Sequence, residues 1–151
     1  MRYLSIDLET TGLDPVNNQI IEFGAVLEDT NDIKPLDDLP FFHAYVTHPK
    51  NTLTGDVFAL NMNADIIEKL KNKKELKDTH NFVKIEDLAE DFLYWLFQKG
   101  FTLKTKYECT VEEYRYAEPI NVAGKNFNGF DKRFLDNVPY FNRFIRIRQR
   151  V

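Results

Sequence analysis

The sequence predicts an α/β fold, a mixed β-sheet flanked by helices. Three observations carry that prediction. Residues 1–46 hold three strand-like runs, the apolar period switches to helical spacing between residues 59 and 96, and a strand-then-helix unit follows near residue 120.

Tyr3–Leu8 opens the chain as a strand, with Leu4, Ile6 and Leu8 on one face and Ser5, Asp7 and Glu9 on the other. Ile20–Leu27, rich in Ile, Phe and Val, is the second strand, and Asn17-Asn18 lies in the turn between them. Phe41–Val46 is the third, preceded by Pro35 and Pro40 of a surface loop. Such short connections predict an antiparallel start. Ala59, Met62, Ile66 and Leu70 then recur at helical spacing, and Leu88, Phe92, Trp95 and Leu96 repeat it up to Gly100, giving helices packed on the sheet. Between them Lys69–Lys77 carries five lysines without interleaved aromatics, which favours a solvated helix face or loop over a phosphate contact. Phe101–Glu118 mixes Tyr107, Tyr114 and Tyr116 with Glu108, Glu112 and Glu113 without a period and is read as a hairpin or surface insertion. Ile120–Ala123 is a short buried-type strand, followed by a helix through Phe134-Leu135. Phe144–Val151 alternates like a strand, with Arg146, Arg148 and Arg150 on one face.

A chain of 151 residues with 43% apolar and 14% aromatic residues has enough apolar surface to bury a core, and nothing points to disorder. The net charge of −4 excludes a generally basic nucleic-acid coat, so any phosphate binding must be local. Cys109 is the sole cysteine, which excludes an intrachain disulfide. The N-terminus lacks the basic segment and apolar core of a secretion signal, and the expected setting is cytoplasmic. No apolar run approaches the roughly 20 residues needed to span a bilayer, so no membrane partner is expected.

The chemistry lies in two segments. Asp7-Leu8-Glu9-Thr10-Thr11-Gly12-Leu13-Asp14 puts two carboxylates on one face at a strand exit, where flanking helices no longer cover the sheet. Hard oxygen ligands there suit Mg²⁺ or Mn²⁺. The second segment is Gly124-Lys125-Asn126-Phe127-Asn128-Gly129-Phe130-Asp131, in which Gly124 and Gly129 permit tight turns or close approach. It sets Asp131 at a helix start where it can face Asp7 and Glu9 across a cleft. Taken alone, Asp-x-Glu reads as a loop edge and Asp131 as a helix cap.

Together the two segments resemble the DEDD, or DnaQ-like, 3′-to-5′ exonucleases of the ribonuclease H-like superfamily, over nearly the whole chain. The resemblance implies a ribonuclease H-like sheet and hydrolysis of phosphodiesters by two divalent ions, Mg²⁺ or Mn²⁺, at the 3′ end of single-stranded DNA or RNA. It implies Asp7 bridging both ions, Glu9 completing one site and Asp131 holding the second. It further implies Thr10, Thr11 and Gly12 meeting the terminal 3′ hydroxyl, Leu13 pressing on the last base, and Asn126 and Phe130 lining the groove of the penultimate nucleotide. For Phe130, plain core packing is nearly as good a reading.

The family's third motif, a His or Tyr general base and a fourth metal-binding Asp on a C-terminal helix, has no counterpart. His43, His48 and His80 all precede the second segment and read as strand-edge or loop residues. The expectation is one exonuclease domain over residues 1–151, incomplete at its C-terminus with the last helices missing, and weak or inactive in this form. The alternative is a catalytically silent nucleic-acid-binding or interaction module with the same fold. A small-molecule phosphohydrolase ranks last.

Overall fold

In the computed structural model, which describes residues 1–107 and 112–150, three antiparallel strands come first: β1 (Arg2–Thr10), β2 (Ile20–Asp29) and β3 (Phe41–Thr47). Cys109, Glu108 and Val151 of the sequence readings lie outside the described residues, as do the side chains of Gln149 and Arg150. Strand β1 buries Leu4, Ile6 and Leu8 while Asp7 is exposed, as its alternation requires.

The segment 59–70 is not one helix. It divides into α1 (Val57–Met62), α2 (Ala64–Lys71) and a short α3 (Lys73–Leu76). Asn63 makes the break: its side chain is buried and donates to the carbonyl of Thr10 at 3.0 Å, which tethers the chain to the end of β1. Beyond that tether only Leu70 of the predicted apolar series is fully buried, and Met62, expected to pack on the sheet, is exposed.

Strand β4 (Phe82–Lys84), too short for a period to show in the sequence, pairs parallel to β3. Helix α4 (Leu88–Gln98) follows and buries Leu88, Ala89, Phe92, Leu93, Trp95 and Leu96. Its Phe92 ring sits 4.9 Å from that of Phe23 and 5.4 Å from that of Phe42, edge-on or tilted. This cluster is the centre of the main core and binds α4 to the face of the sheet opposite Asp7. A smaller cluster of Ile21, Tyr45 and Leu70 holds α2 on the other face, towards β3.

Strands β5 (Leu103–Tyr107) and β6 (Glu113–Ala117) pair antiparallel as a separate two-stranded hairpin, one of the two readings of that segment. It is fixed by cation–π contacts, the Arg143 and Arg146 guanidiniums each lying 4.0 Å from the Tyr114 and Tyr116 rings respectively. Strand β7 (Ile120–Ala123) then enters the sheet parallel to β1, followed by α5 (Asp131–Leu135), α6 (Phe141–Phe144) and β8 (Ile147–Arg150), parallel to β7. The predicted final strand thus starts later, because Phe144 ends α6. The sheet order is β4-β3-β2-β1-β7-β8. Only β2 runs against the others, so β1, β3, β4 and β7 all end at one edge of the sheet. No helix of the described residues is long and apolar enough to cross a membrane.

Candidate active site

The register at the end of β1 exposes the carboxylates. Ser5 pairs with Ala123, the last residue of β7, so Asp7 and Glu9 extend past their parallel neighbour. On the other side Asp7 lies opposite Gly24 and Glu9 opposite Glu22. The chain leaving β7 crosses tightly beneath them: a Cβ on Gly124 would come within 3.3 Å of the Ile6 carbonyl and of Phe127. That close approach brings α5 back against β1 and sets Asp131 at its first turn.

Asp131 is 5% exposed. Burial, and then the negative charge of Asp7, pushes its carboxyl up to about 6, against backbone hydrogen bonds at Asp131 and Leu8 that favour the anion. Glu9 is raised in the same way, by burial first and then by Asp7, Glu22 and Asp131. The structure therefore brings Asp7, Glu9 and Asp131 into one mutually repelling acidic site. Among the described residues, no three acidic, histidine or cysteine side chains are gathered closely enough to hold a metal ion as they stand.

The loop after β1 is rigidly built. Thr11 is fully buried, donates its hydroxyl to the Thr54 carbonyl at 2.6 Å and accepts the Gln19 N–H at 2.9 Å. Its carbonyl accepts the Asp56 N–H at 2.9 Å. A side chain on Gly55 would collide with the Thr11 backbone, so glycine is required there. Thr10 is buried and donates to the Gly12 carbonyl at 2.7 Å. Both threonine hydroxyls are thus engaged inside the protein, where they shape the loop whose backbone is expected to meet a 3′ end. Leu13 follows it fully in solvent, and Phe58 and Met62 of α1 are exposed as well.

In the second segment Asn126 is exposed and left-handed, with φ 54°, and its carbonyl accepts the Gly129 and Phe130 N–H groups. Phe130 is partly buried against the core, its ring 5.0 Å from that of Phe134. The packing role weighed for Phe130 is therefore present.

Two residues of this surface were given no part in the site by the sequence reading, Glu22 and the strand residue His43. His43 lies directly across Gly24 from Asp7, since Gly24 pairs with both. Its Nε2 is 2.9 Å from a Glu22 carboxylate oxygen. A groove of about 480 Å³ between them is lined by Ser5, Asp7, Gly24, Val26, Phe41 and His43. The signal was the alternation of β2, which sets Glu22, Gly24 and Val26 on the face of Asp7 once the hairpin is aligned.

A profile of the exonuclease family of the RNase T type matches residues 4–96. The chain belongs to that family. The DnaQ-like family resemblance read from the sequence is thereby shown, and the match covers the first motif segment but not residues 124–131. No curated protein matches the chain. Among solved structures, Escherichia coli exonuclease I in complex with a dT13 oligonucleotide is 16% identical, with a TM-score of 0.57, over 95% of this chain and 24% of its own. The zinc-bound form of the E. coli exonuclease I–ssDNA complex is 15% identical, with a TM-score of 0.57, over 95% and 24%. Exonuclease I of Methylocaldum szegediense is 17% identical, with a TM-score of 0.52, over 89% and 22%. The fold of this exonuclease-family chain is accordingly ribonuclease H-like, and the chain spans about a quarter of the length of those proteins.

Proposed function

We propose that this chain is the nuclease domain of a 3′-to-5′ exonuclease acting on single-stranded DNA or RNA with Mg²⁺ or Mn²⁺. The observation that carries the reading is the register that leaves Asp7 and Glu9 beyond the end of β7, with α5 packed back against β1 and buried Asp131 at its start. Three converging carboxylates repel a phosphate unless cations neutralise them, so a binding module has no use for them. The similarity to oligonucleotide-bound exonuclease I supports single-stranded DNA as the first substrate to try.

The donor set fits a hard divalent cation in kind, all oxygen and all anionic. Asp7, Glu9 and Asp131 would hold it, and closing on it would bring them nearer than they stand. When bound, such ions supply an activated water and stabilise charge on the attacking and leaving oxygens. The chain supplies the rest. The Thr10–Gly12 loop, held by internal hydrogen bonds, would fix Glu9 and the end of β1, and Leu13, which is exposed, would meet the terminal base. Expected hydrolysis by these 151 residues is weak, because the family's third motif has no counterpart in their sequence.

The test is calorimetric titration of Mn²⁺ into the protein, beside digestion of a 5′-labelled oligonucleotide. We expect metal binding and slow loss of 3′ nucleotides, both removed by Asp7→Ala. Folded wild-type protein that binds Mn²⁺ no better than Asp7→Ala and digests no oligonucleotide, while still binding one, would favour the silent module. Fast Mg²⁺-dependent digestion, abolished by Asp7→Ala, would overturn the expected weakness and leave the nuclease reading intact.

A further inference from the structure

The lysine-rich segment, read from sequence as a solvated face, is one wall of a cleft. A concavity of about 640 Å³ lies at the ends of β3 and β4. Lys71, Lys73 and Lys74 line it from α2 and α3, Lys50 from the turn after β3, and Lys84 from the end of β4. Three separate stretches of chain thus contribute lysines to the lining of one hollow. Among the described residues, none of the five makes an ion pair, although the chain as a whole carries a net charge of −4. Two carboxylates, Glu75 and Glu86, also line the cleft and leave an excess of positive charge.

A helix C-terminus attracts cations, which accounts for Lys71 at the end of α2. It does not account for Lys50 or Lys84. Lys50 stands in an unusual turn in which it and Asn51 are both left-handed, with φ 57° and 52°. The Asn51 amide ties this turn to the end of α2 through the Leu70 carbonyl, at 3.3 Å. Non-glycine residues adopt this conformation at a cost, and the fold maintains it at the rim of the cleft.

Position supplies the partner. Strands β1, β3 and β4 end at the same edge, with β3 two strands and β4 three strands from β1. At ~4.8 Å per strand the cleft lies roughly 10–15 Å along that edge from the acidic site. Its lining has no arginine and no Phe, Tyr or Trp, and its one imidazole, His48, is half-buried and engaged through Nε2 with the Ile20 carbonyl at 2.7 Å. Such a surface grips neither a carboxylate fork nor a base, and suits the point charges of a flexible phosphodiester backbone.

We propose that this cleft binds the phosphate backbone of a single-stranded nucleic acid on the 5′ side of the end held at Asp7, Glu9 and Asp131. The inference rests on the nuclease reading and deepens it. Lysine charge would hold the strand there without regard to sequence and keep it registered on the acidic site.

The experiment measures fluorescence anisotropy of a labelled dT15 oligonucleotide in EDTA, with metal excluded so that nothing is cleaved. Two cleft pairs, K50E/K84E and K71E/K74E, are compared with K104E/K106E on the hairpin, and circular dichroism checks that each is folded. We expect each cleft pair to weaken binding about 10-fold or more. Each should also reduce the slope of log K against log salt by about 1.4, two phosphate contacts at ~0.7 each. The hairpin pair should do less than half of this. Where a charge reversal fails to fold, the corresponding Lys→Ala pair replaces it, with the same direction expected. Binding by the wild type that the cleft pairs weaken no more than the hairpin pair would overturn the proposal while leaving the nuclease reading standing. Absence of binding by the wild type to dT15 and to its RNA equivalent, with EDTA and with Ca²⁺, would overturn both.

Discussion

The acidic end of the sheet edge, at β1 and β7, comes mainly from residues that are neighbours in sequence, whereas the basic end, at β3 and β4, is assembled from three stretches between Lys50 and Lys84. The two ends also differ in how they are held. Around Thr10–Gly12 hydroxyls, carbonyls and N–H groups are spent on internal hydrogen bonds, so the frame is rigid while the carboxylates on it repel. At the basic end the side chains are solvated and the frame is a strained turn tied to a short helix. Strain is thus electrostatic at one end and conformational at the other.

The sharpest break of this comparison is Asp7→Asn. Loss of the central carboxylate should lower Mn²⁺ affinity by roughly 100-fold or more, since even outer-shell changes at metal sites cost 10–100-fold. It should leave dT15 binding in EDTA no weaker, because the lysine cleft is untouched. Calorimetry and anisotropy read the two separately, and equal Mn²⁺ affinity in variant and wild type would sink the assignment of Asp7.

Asp131→Asn tests the repulsion. Its folded-state pKa is raised from 3.8 to about 6, so between those values the folded chain keeps a proton that the unfolded chain has lost. Stability from this group is therefore greatest at low pH and falls as pH rises through about 6. Removing the charge should stabilise the metal-free protein at pH 7 by on the order of 2 kcal/mol, with no gain near pH 3. Thermal melts at the two pH values check this, and a variant no more stable at pH 7 than the wild type contradicts it.

The same end shows why much of the site was legible in the sequence and part of it was not. Alternation in β1 is a local rule, so the facing of Asp7 and Glu9 followed from seven consecutive residues, Tyr3–Glu9. The approach of Asp131 followed from two glycine-punctuated segments. By contrast Met62 was read as buried because helical spacing continues through it, and nothing in the period reveals that Asn63 turns inward to the Thr10 carbonyl. Strand β4 has three residues and no period. His43 and the lysine cleft depend on strand register and on segments meeting in space, which a one-dimensional pattern does not carry.

Thr11→Val measures the rigidity of the acidic end at nearly constant volume. The change removes a hydroxyl that bonds both Thr54 and Gln19 and leaves a partly buried N–H and a carbonyl without it, at a cost of about 1 kcal/mol. Lys74→Ala on the exposed basic rim should change stability by under about 0.5 kcal/mol. Denaturant midpoints at fixed m-value compare them, and equal effects would mean that the loop after β1 is no better held than the cleft.

No loss of stability is expected at Gly24, where the comparison can be made sharpest. A Cβ there would meet nothing closer than the Asp7 carbonyl, at 3.9 Å, an ordinary contact. Alanine also suits a strand better than glycine, so Gly24→Ala should be neutral or stabilising by up to about 1 kcal/mol. Yet its methyl group would stand in the groove between Asp7 and His43, on the face where the cross-strand row runs Asp7, Gly24, His43. If substrate or cations enter by that groove, Gly24→Ala should weaken metal-dependent binding of a trinucleotide several-fold while dT15 binding in EDTA is unchanged. Unchanged trinucleotide binding would mean that substrate and cations reach the carboxylates from the open end of β7, and that the His43–Glu22 pair takes no part in the site.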